Sequence, residues 1–385
     1  MWKTMKLLKK PGITCFILCL LVVLAFRTGK AEAGTVLNCG KWRLIPSPNR
    51  SSAQYNWLNA VTAVSSNDVW AVGGTAVSNQ SSNTAFIEHW NGVRWSISNV
   101  PDDANSSLNG IAAISANDIW AVGTGSPAAV IGTYTEHWNG KTWSFISDPN
   151  VGPYSFLNAV AAVSTNDVWA VGGSDGSTFI QRWNGAQWQT VSSPNPGLYN
   201  QLSGVAAVSA NDVWAVGEMN GEDTEYTLIE HWDGTQWSVV NSPNPLVFDQ
   251  LEGIAAVSAS DIWAVGITTG DGGNTPKTLI EHWDGSQWSV FANPNPPTQS
   301  SAFYGVSAVS TNDVWAVGGA DSSEPSKSSI EHWDGTTWSI VSHPNPSKDT
   351  SLLGVATVSG TSQVWGVGST YTPQGAGKTL TEFYC

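Results

Sequence analysis

Short apolar runs alternate along the chain with clusters of glycine, asparagine, aspartate and serine. One run, Asn312-Asp313-Val314-Trp315-Ala316-Val317-Gly318, recurs seven times with small changes. Its tryptophans are spaced 50, 49, 45, 49, 52 and 50 residues apart, and they are Trp70, Trp120, Trp169, Trp214, Trp263, Trp315 and Trp365. A fixed period of this length indicates one supersecondary unit copied in series.

The fourth copy shows the pattern inside the unit. Its β-rich runs are residues 202–208, 213–217, 227–232 and 237–240, and no stretch has the spacing of a helix. Asp233-Gly234 is a strong hairpin signal between the last two runs. Repeats that each form four short antiparallel strands are typical of β-propeller blades around a central channel.

Small residues favour a closed ring over an open array. The first run of each copy is crowded with glycine and alanine, such as Gly204, Ala206 and Ala207. Innermost strands converge near the axis of a propeller, where only small side chains fit. The sequence therefore predicts an all-β, seven-bladed β-propeller of four-stranded blades over residues 34–385, with blades from about residue 57 to residue 384.

The two ends of this domain complete one blade. Residues 38–45 resemble the turn and fourth strand at residues 139–146, yet no first, second or third strand precedes them. The last copy supplies only three strands, ending with residues 379–384. We therefore expect residues 41–46 to close the last blade.

The N-terminus has the pattern of a secretory signal peptide. Four lysines precede an apolar stretch at residues 12–26, and Ala31-Glu32-Ala33 follows as a cleavage site. We expect residues 1–33 to be removed and the mature protein to be secreted. The stretch is short for a membrane span, and an uncleaved anchor is the alternative.

The charge of the mature chain narrows the choice of partners. The full sequence has 16 basic and 30 acidic residues, and residues 1–33 contain six of the basic residues and one of the acidic ones. The mature chain therefore has 10 basic and 29 acidic residues, which gives a net charge of −19. Such a domain repels phosphate backbones and anionic lipid. We expect a monomer that has no cofactor and binds neither nucleic acid nor membrane.

Two cysteines remain after signal cleavage. Cys39 and Cys385 align with the Asn or Asp of the turn between the third and fourth strands. In an exported protein this predicts a disulfide, with two free thiols as the alternative.

Glu-His pairs recur in five third strands, as in Glu230-His231, and could suggest metal or acid–base chemistry. Neighbours in a strand point to opposite faces, so the two side chains cannot converge on one ligand. We interpret the histidines as satisfied between blades, and the repeated turn aspartates, such as Asp212, as bonded to nearby backbone.

The variable loops lie opposite the short, regular turns, and binding residues concentrate on such loops. Aromatic residues gather just before the first strands, and Trp57 and Phe156 are the most core-like of them. One variable slot at the channel mouth holds Asn59, Asn109, Asn158, Ser203, Glu252 and Tyr304. The candidate ligand-binding residues are Tyr55, Tyr154, Tyr199, Phe248, Glu252 and Tyr304, and the alternative is that the rings plug blade interfaces.

The repeat, L-x-G-V-A-A-V-S-x-N-D-V-W-A-V-G followed by I-E-H-W-D-G-x-x-W-S, resembles the Trp-rich repeat of secreted bacterial β-propeller proteins, near the kelch and Asp-box (BNR-type) propellers. The resemblance covers Leu58 to Tyr384 and implies the fold without a particular function. The Asp boxes of the sialidase relatives are missing, and the mature chain has only four arginines. A sialidase-like activity is therefore not expected.

Two functions remain open. The first is a non-catalytic binding module for a carbohydrate or a protein, with no catalytic and no metal residue. The second is a glycoside hydrolase or lyase that uses carboxylates of the variable face, which are Asp102, Asp103, Asp223, Glu225, Asp249 and Glu252. The acidic loop at residues 271–274 is only weakly suggestive of a Ca²⁺ site.

Overall fold

The computed structural model of the protein describes residues 39–78, 83–101, 105–125, 132–147, 149, 154–270, 275–294, 301–319, 327–347 and 349–385. The predicted signal peptide, Asp102, Asp103 and the acidic loop at residues 271–274 lie outside these residues. Within them, no helix is long and apolar enough to cross a membrane.

The described part of the chain contains 28 β-strands. The first half comprises β1 Arg43–Leu44, β2 Tyr55–Ser65, β3 Asp68–Ala76, β4 Thr84–Trp90, β5 Trp95–Ser98, β6 Ser106–Ser115, β7 Asp118–Gly125, β8 Gly132–Trp138, β9 Trp143–Phe145, β10 Ser155–Ser164, β11 Asp167–Ser174, β12 Ser177–Trp183, β13 Trp188–Val191 and β14 Tyr199–Ser209. The second half comprises β15 Asp212–Asn220, β16 Glu225–Trp232, β17 Trp237–Val239, β18 Phe248–Ser258, β19 Asp261–Thr269, β20 Lys277–Trp283, β21 Trp288–Val290, β22 Ala302–Ser310, β23 Asp313–Gly319, β24 Ser328–Trp333, β25 Trp338–Ile340, β26 Thr350–Thr357, β27 Val364–Tyr371 and β28 Gly377–Tyr384.

Strands that follow one another in sequence pair antiparallel and form four-stranded sheets, as the four runs of each repeat predict. One parallel bridge, between Glu225 of β16 and Phe248 of β18, joins two neighbouring sheets. The predicted runs of the fourth repeat are all strands, but β14 and β15 extend beyond them as far as the pair Tyr199 and Asn220. Polar side chains occupy this extension, so the apolar pattern does not mark it.

The N-terminal segment completes the last sheet, as predicted. Strand β1 pairs antiparallel with β28, Arg43 opposite Phe383, and the sheet has the order β1-β28-β27-β26. The Ile45 amide extends the pairing by donating to the Thr381 carbonyl oxygen at 3.0 Å. Trp42 then packs its ring against Trp315 of the preceding sheet, with centroids 5.5 Å apart.

Tryptophans form the contacts between neighbouring sheets. Trp70 of the first sheet packs against Trp138 and Trp143 of the second, at ring-centroid distances of 5.0 and 5.6 Å. Tilted and edge-to-face arrangements of this kind are favoured for aromatic pairs. The same pair of contacts recurs on Trp120, Trp169, Trp214, Trp263, Trp315 and Trp365. Trp365 belongs to the last sheet and its partners, Trp90 and Trp95, to the first, so these two sheets are in contact.

A β-bulge in each first strand explains a glycine of the repeat. In β14 the pairing register shifts between Leu202 and Gly204. The bulge brings the Gln201 carbonyl oxygen so close to Gly217 that a Cβ atom there would lie 2.0 Å from it. Only glycine fits this close approach of two strands, and it ends every V-W-A-V-G run.

The repeated histidines are satisfied within their own sheets, so the expectation that they bridge two blades is wrong. His231 Nε2 lies 2.8 Å from Asp212 Oδ1, and the histidine ring stacks on Trp214 at 4.2 Å. Both partners belong to β15, the strand next to the histidine's own strand β16. Asp212 Oδ1 accepts hydrogen bonds from this histidine and from Trp214 Nε1–H, which are both side chains. The expectation that this turn aspartate bonds to nearby backbone is therefore wrong.

The glutamate of the Glu-His pair has different surroundings from the histidine. Glu230 is fully buried, and neither carboxylate oxygen has a hydrogen-bond partner within the described residues. It lies on the same strand face as Leu228 and Trp232, which pack against Trp169 and other core residues. The expected opposite orientation of Glu and His is therefore confirmed, and the glutamate faces the apolar contact between two sheets.

Candidate functional site

The bulges of the first strands place one side chain per repeat at a central cavity of about 210 Å³. Seven different innermost strands line this cavity, and the bulged residues are Asn59, Asn109, Asn158, Ser203, Glu252, Tyr304 and Leu353. The first six are the residues that the sequence places in one variable slot. We call this set the bulge ring.

The asparagine half of the bulge ring connects neighbouring strands. Asn59 Nδ2 donates to the Leu108 carbonyl oxygen at 2.8 Å, and Asn158 Nδ2 donates to the Leu202 carbonyl oxygen at 2.9 Å. Asn109 makes the equivalent bond one repeat along. These amides satisfy backbone carbonyls that the bulges leave unpaired, so a structural role accounts for them.

Further carboxyl groups lie near Glu252 of the bulge ring. Gln201 Nε2 donates to Glu218 Oε1 at 2.7 Å, and Gln250 Nε2 donates to Glu225 Oε2 at 2.7 Å. Burial, with smaller contributions from the nearby charges of Glu225 and Glu252, raises the pKa of Glu218 to about 7. Burial also raises the pKa of Glu252. Three carboxyl groups therefore lie close together on β15, β16 and β18.

Glu218 is absent from the residues singled out in the sequence, although a signal for it exists. It directly follows the V-W-A-V-G run, where the other repeats have Gly74, Thr124, Gly173, Ile267, Gly319 and Ser369. A buried carboxyl group at a position otherwise occupied by small or uncharged residues breaks the repeat. Such a break indicates a local role that the scaffold itself does not require.

Exposed aromatic and aliphatic side chains border these carboxyl groups. Leu198 is 77% exposed and Tyr199 is 37% exposed, and the Tyr199 hydroxyl donates to Gln201 Oε1 at 3.3 Å. Tyr226 and Leu246 are exposed at the same end of the neighbouring strands, Tyr226 on the sheet face opposite to Glu225. Burial raises the pKa of Tyr199, and the charge of Glu218 adds to the effect. We call these four residues, together with Glu218, Glu225 and Glu252, the Tyr199 patch.

The predicted candidates separate into two groups. Tyr199, Phe248 and Glu252 lie in or beside the Tyr199 patch, and Tyr304 follows Glu252 in the bulge ring. The other two, Tyr55 and Tyr154, lie elsewhere. Tyr55 lies against Gly377, where the first and last sheets meet, and Tyr154 precedes β10 in a left-handed backbone conformation with φ of 70°.

Three other aromatic side chains of the loop face pack against the scaffold. Phe303 is fully buried at the position that leucine occupies in the other repeats. Trp57 and Phe156 lie directly over Gly74 and Gly173, where a Cβ atom would approach their rings to 2.4 and 2.7 Å. The alternative interpretation, that aromatic residues plug the scaffold, applies to these three.

The carboxylates that the sequence offers for a hydrolase lie in different surroundings. Asp249 is fully buried; it accepts hydrogen bonds from Thr268 Oγ1 and, at 3.1 Å, from the Leu246 amide. It therefore holds the loop that presents Leu246. Asp223 is exposed on the turn between β15 and β16, while Glu225 and Glu252 lie in the Tyr199 patch.

Residues 172–176 read Gly-Gly-Ser-Asp-Gly and match the G-x-S-x-G pattern of serine hydrolases. That pattern activates serine on a turn between a strand and a helix. Here Asp175 and Gly176 have φ of 48° and 79° and form a two-residue turn between the strands β11 and β12. Ser174 is hydrogen-bonded to Ser155 Oγ at 2.8 Å, and we assign it no catalytic role.

No group of three or more His, Cys, Asp and Glu residues suited to a metal ion exists among the residues described. No protein-family model matches the chain, and a comparison with curated proteins gives no match either.

Solved structures do match it. YCF48 bound to a D1 peptide is 14% identical over 90% of this chain and 94% of that one, with a TM-score of 0.56. YCF48 from Cyanidioschyzon merolae is 15% identical over 89% and 99%, with a TM-score of 0.55. U3-55K is 12% identical over 90% and 98%, with a TM-score of 0.58. These proteins are β-propellers, and at such identities the likeness shows the fold alone: the chain is an all-β, Trp-rich β-propeller.

Proposed function

We propose that the mature protein, residues 34–385, is a secreted, monomeric, seven-bladed β-propeller of the Trp-rich group that binds a segment of another protein through the Tyr199 patch. Residues 1–33 would direct export and then be removed. The 28 strands in sheets of four and the seven inter-sheet tryptophan contacts support the blade number. Its partner would be a segment that carries arginine or lysine beside apolar side chains.

The uncompensated charge of the Tyr199 patch carries the proposal. The nearby charges of Glu225 and Glu252 help to raise the pKa of Glu218, and none of the three takes part in an ion pair within the described part of the chain. Holding carboxyl groups together without a cation is unfavourable, and a protein gains nothing for its own stability by it. A guanidinium or ammonium group from a partner would neutralise them through charge-assisted hydrogen bonds.

The border of the patch supplies the other half of a binding surface. Leu198, Tyr199 and Leu246 offer exposed apolar area beside the charges, and interfaces are enriched in tyrosine at their centres. The net charge of −19 would also attract a basic segment from a distance. The YCF48 structure with a D1 peptide supports the use of this fold to hold a peptide.

A random peptide display library selected on the mature protein tests the proposal. Peptides that combine basic and apolar residues should be enriched, and their affinity should fall as salt is raised. Tyr199→Ala and Glu225→Gln should each weaken the best peptide on the order of 10- to 30-fold. Tyr371→Ala is the matched control, because Tyr371 is similarly exposed, at 42%, but belongs to the last sheet.

Two outcomes would contradict the proposal. Enrichment of acidic or purely apolar peptides would show that the carboxylates of the Tyr199 patch do not bind the ligand. Equal binding by wild type, Tyr199→Ala and Glu225→Gln would move the site to another surface. A glycan array probed with the mature protein tests the remaining ligand class, carbohydrates. If the protein binds a sugar and Tyr199→Ala abolishes that binding, the ligand of the patch is a carbohydrate and not a protein segment.

One observation favours the second candidate function, a glycoside hydrolase. A carboxyl group whose pKa is raised to about 7 beside further carboxyl groups is the arrangement expected of a general acid, and Glu218 has it. Turnover of any glycan that disappears in Glu218→Gln, with binding retained, would establish this activity. The binding proposal instead predicts peptide binding without glycan turnover.

A further inference from the structure

Two cysteine thiols lie in contact where the first and last strands of the domain meet. Cys39 is exposed, Cys385 is buried, and their side chains are within hydrogen-bonding contact although 346 positions separate them. The Gly40 amide donates to the Cys385 carbonyl oxygen at 2.5 Å and holds the two backbones together. The thiols therefore meet as a consequence of the strand pairing.

The other repeats show what the cysteines replace. At this turn Asp233 Oδ1 accepts the backbone N–H groups of Thr235 and Gln236, at 2.7 and 2.9 Å, and so ties the third strand to the fourth. The equivalent asparagines and aspartates do the same in the other repeats. In the last sheet the third and fourth strands come from opposite parts of the sequence. A thiol is too weak an acceptor to replace the carboxylate at this turn.

The backbone strand pairing at this junction is short. β1 has only two residues, whereas the other fourth strands have three or four. Beyond the strand, the contacts are made by side chains: Asn49 Oδ1 accepts the Thr379 amide at 3.0 Å, and the Ser47 and Thr379 hydroxyls are 2.7 Å apart. Before the strand, Trp42 packs on Trp315. Short edge strands separate easily, so a covalent bond would contribute most at this position.

We propose that Cys39 and Cys385 form a disulfide that fastens the last blade closed in the exported protein. The oxidant is a disulfide of the thiol–disulfide exchange class, such as oxidised glutathione. The exposed Cys39, as thiolate, attacks one sulfur of the oxidant and expels the other as a thiolate. Cys385, as thiolate, then attacks Sγ of Cys39 and expels the second thiolate. Two protein thiols lose two protons and two electrons, and the oxidant becomes two thiols.

Alkylation with and without reductant tests this pairing on the mature wild-type protein. After exposure to oxidised glutathione, neither cysteine should be alkylated until reductant is added, and the intact mass should be lower by two hydrogen atoms. Peptide mapping should recover the segments of Cys39 and Cys385 linked within one chain. Both cysteines alkylated without reductant, or linked only between chains, would overturn the proposal.

Thermal melting supplies the functional readout. Reduction of the wild type should lower the unfolding temperature by about 3 to 8 °C. Cys39→Ser and Cys385→Ser should melt near the reduced wild type, and reductant should have no effect on the double variant. If reductant leaves the unfolding temperature of the wild type unchanged, strand pairing alone closes the blade. This measurement decides the question even if a variant fails to fold.

Discussion

Replacement of Glu230 by glutamine should stabilise the protein at neutral pH and leave its stability in acid unchanged. Glu230 is fully buried, and burial raises its pKa from 4.5 to about 8. The third sheet contains its own control for this change: Gln181, equally buried, occupies the same place in β12. The amide therefore fits the space between two sheets.

The size of the expected stabilisation follows from the linkage between proton binding and folding. At pH 7 the unfolded chain carries Glu230 ionised, whereas the folded protein must keep it protonated, at a cost of about 1.4 kcal/mol for each pH unit above 4.5. Between pH 4.5 and pH 7 this cost rises to about 3 kcal/mol. The folded state binds more protons than the unfolded state, so stability is highest below pH 4.5 and falls as the pH rises towards 8. The pKa of Glu281 is raised to about 8 and that of Glu88 to about 9, which adds to the slope.

Chemical denaturation followed by tryptophan fluorescence between pH 4 and pH 8 measures the effect. Glu230→Gln should match wild type near pH 4 and exceed it by up to about 3 kcal/mol near pH 7. Its curve should be flatter by about 1.4 kcal/mol per pH unit. Glu222→Gln is the control, because Glu222 is an exposed residue of a turn. Parallel curves for wild type and Glu230→Gln across this range would refute the argument from burial.

Two further substitutions test the scaffold. His231→Ala removes the hydrogen bond to Asp212 and the stack on Trp214; it should lower the free energy of unfolding by about 1–3 kcal/mol and leave binding of the selected peptide unchanged. Lost binding at an unaltered unfolding temperature would contradict its structural role. Gly217→Ala forces a Cβ atom to within 2.0 Å of the Gln201 carbonyl oxygen and should destabilise by more than about 3 kcal/mol. Thermal melting measures this, with Gly132→Ala as the control, because no atom lies within 4 Å of a Cβ atom added at Gly132. A small loss at Gly217, comparable to that of the control, would show that the strands can separate freely.

Much of the fold could be predicted from the sequence because the protein is a repeat. Each copy of the V-W-A-V-G run repeats the same local pattern, so weak strand signals reinforce one another seven times. The blade closed by residues from both ends follows from the same logic, because residues 38–45 match a turn and strand of the other copies. The opposite orientation of Glu230 and His231 follows from the two-residue period of a strand alone.

The tertiary structure decided which side chains meet. The partner of His231 is Asp212, 19 residues earlier, and no sequence pattern distinguishes a partner in the same sheet from one in the next. Glu218 joins Glu225 and Glu252 because the end of β15, the start of β16 and the bulge of β18 lie close together, and the bulges turn one residue per repeat into the cavity. Local sequence determines which way a strand alternates, but the surroundings of a side chain depend on residues that the chain brings beside it. For this reason the blade pattern was predictable from the sequence, whereas the Tyr199 patch required the three-dimensional structure.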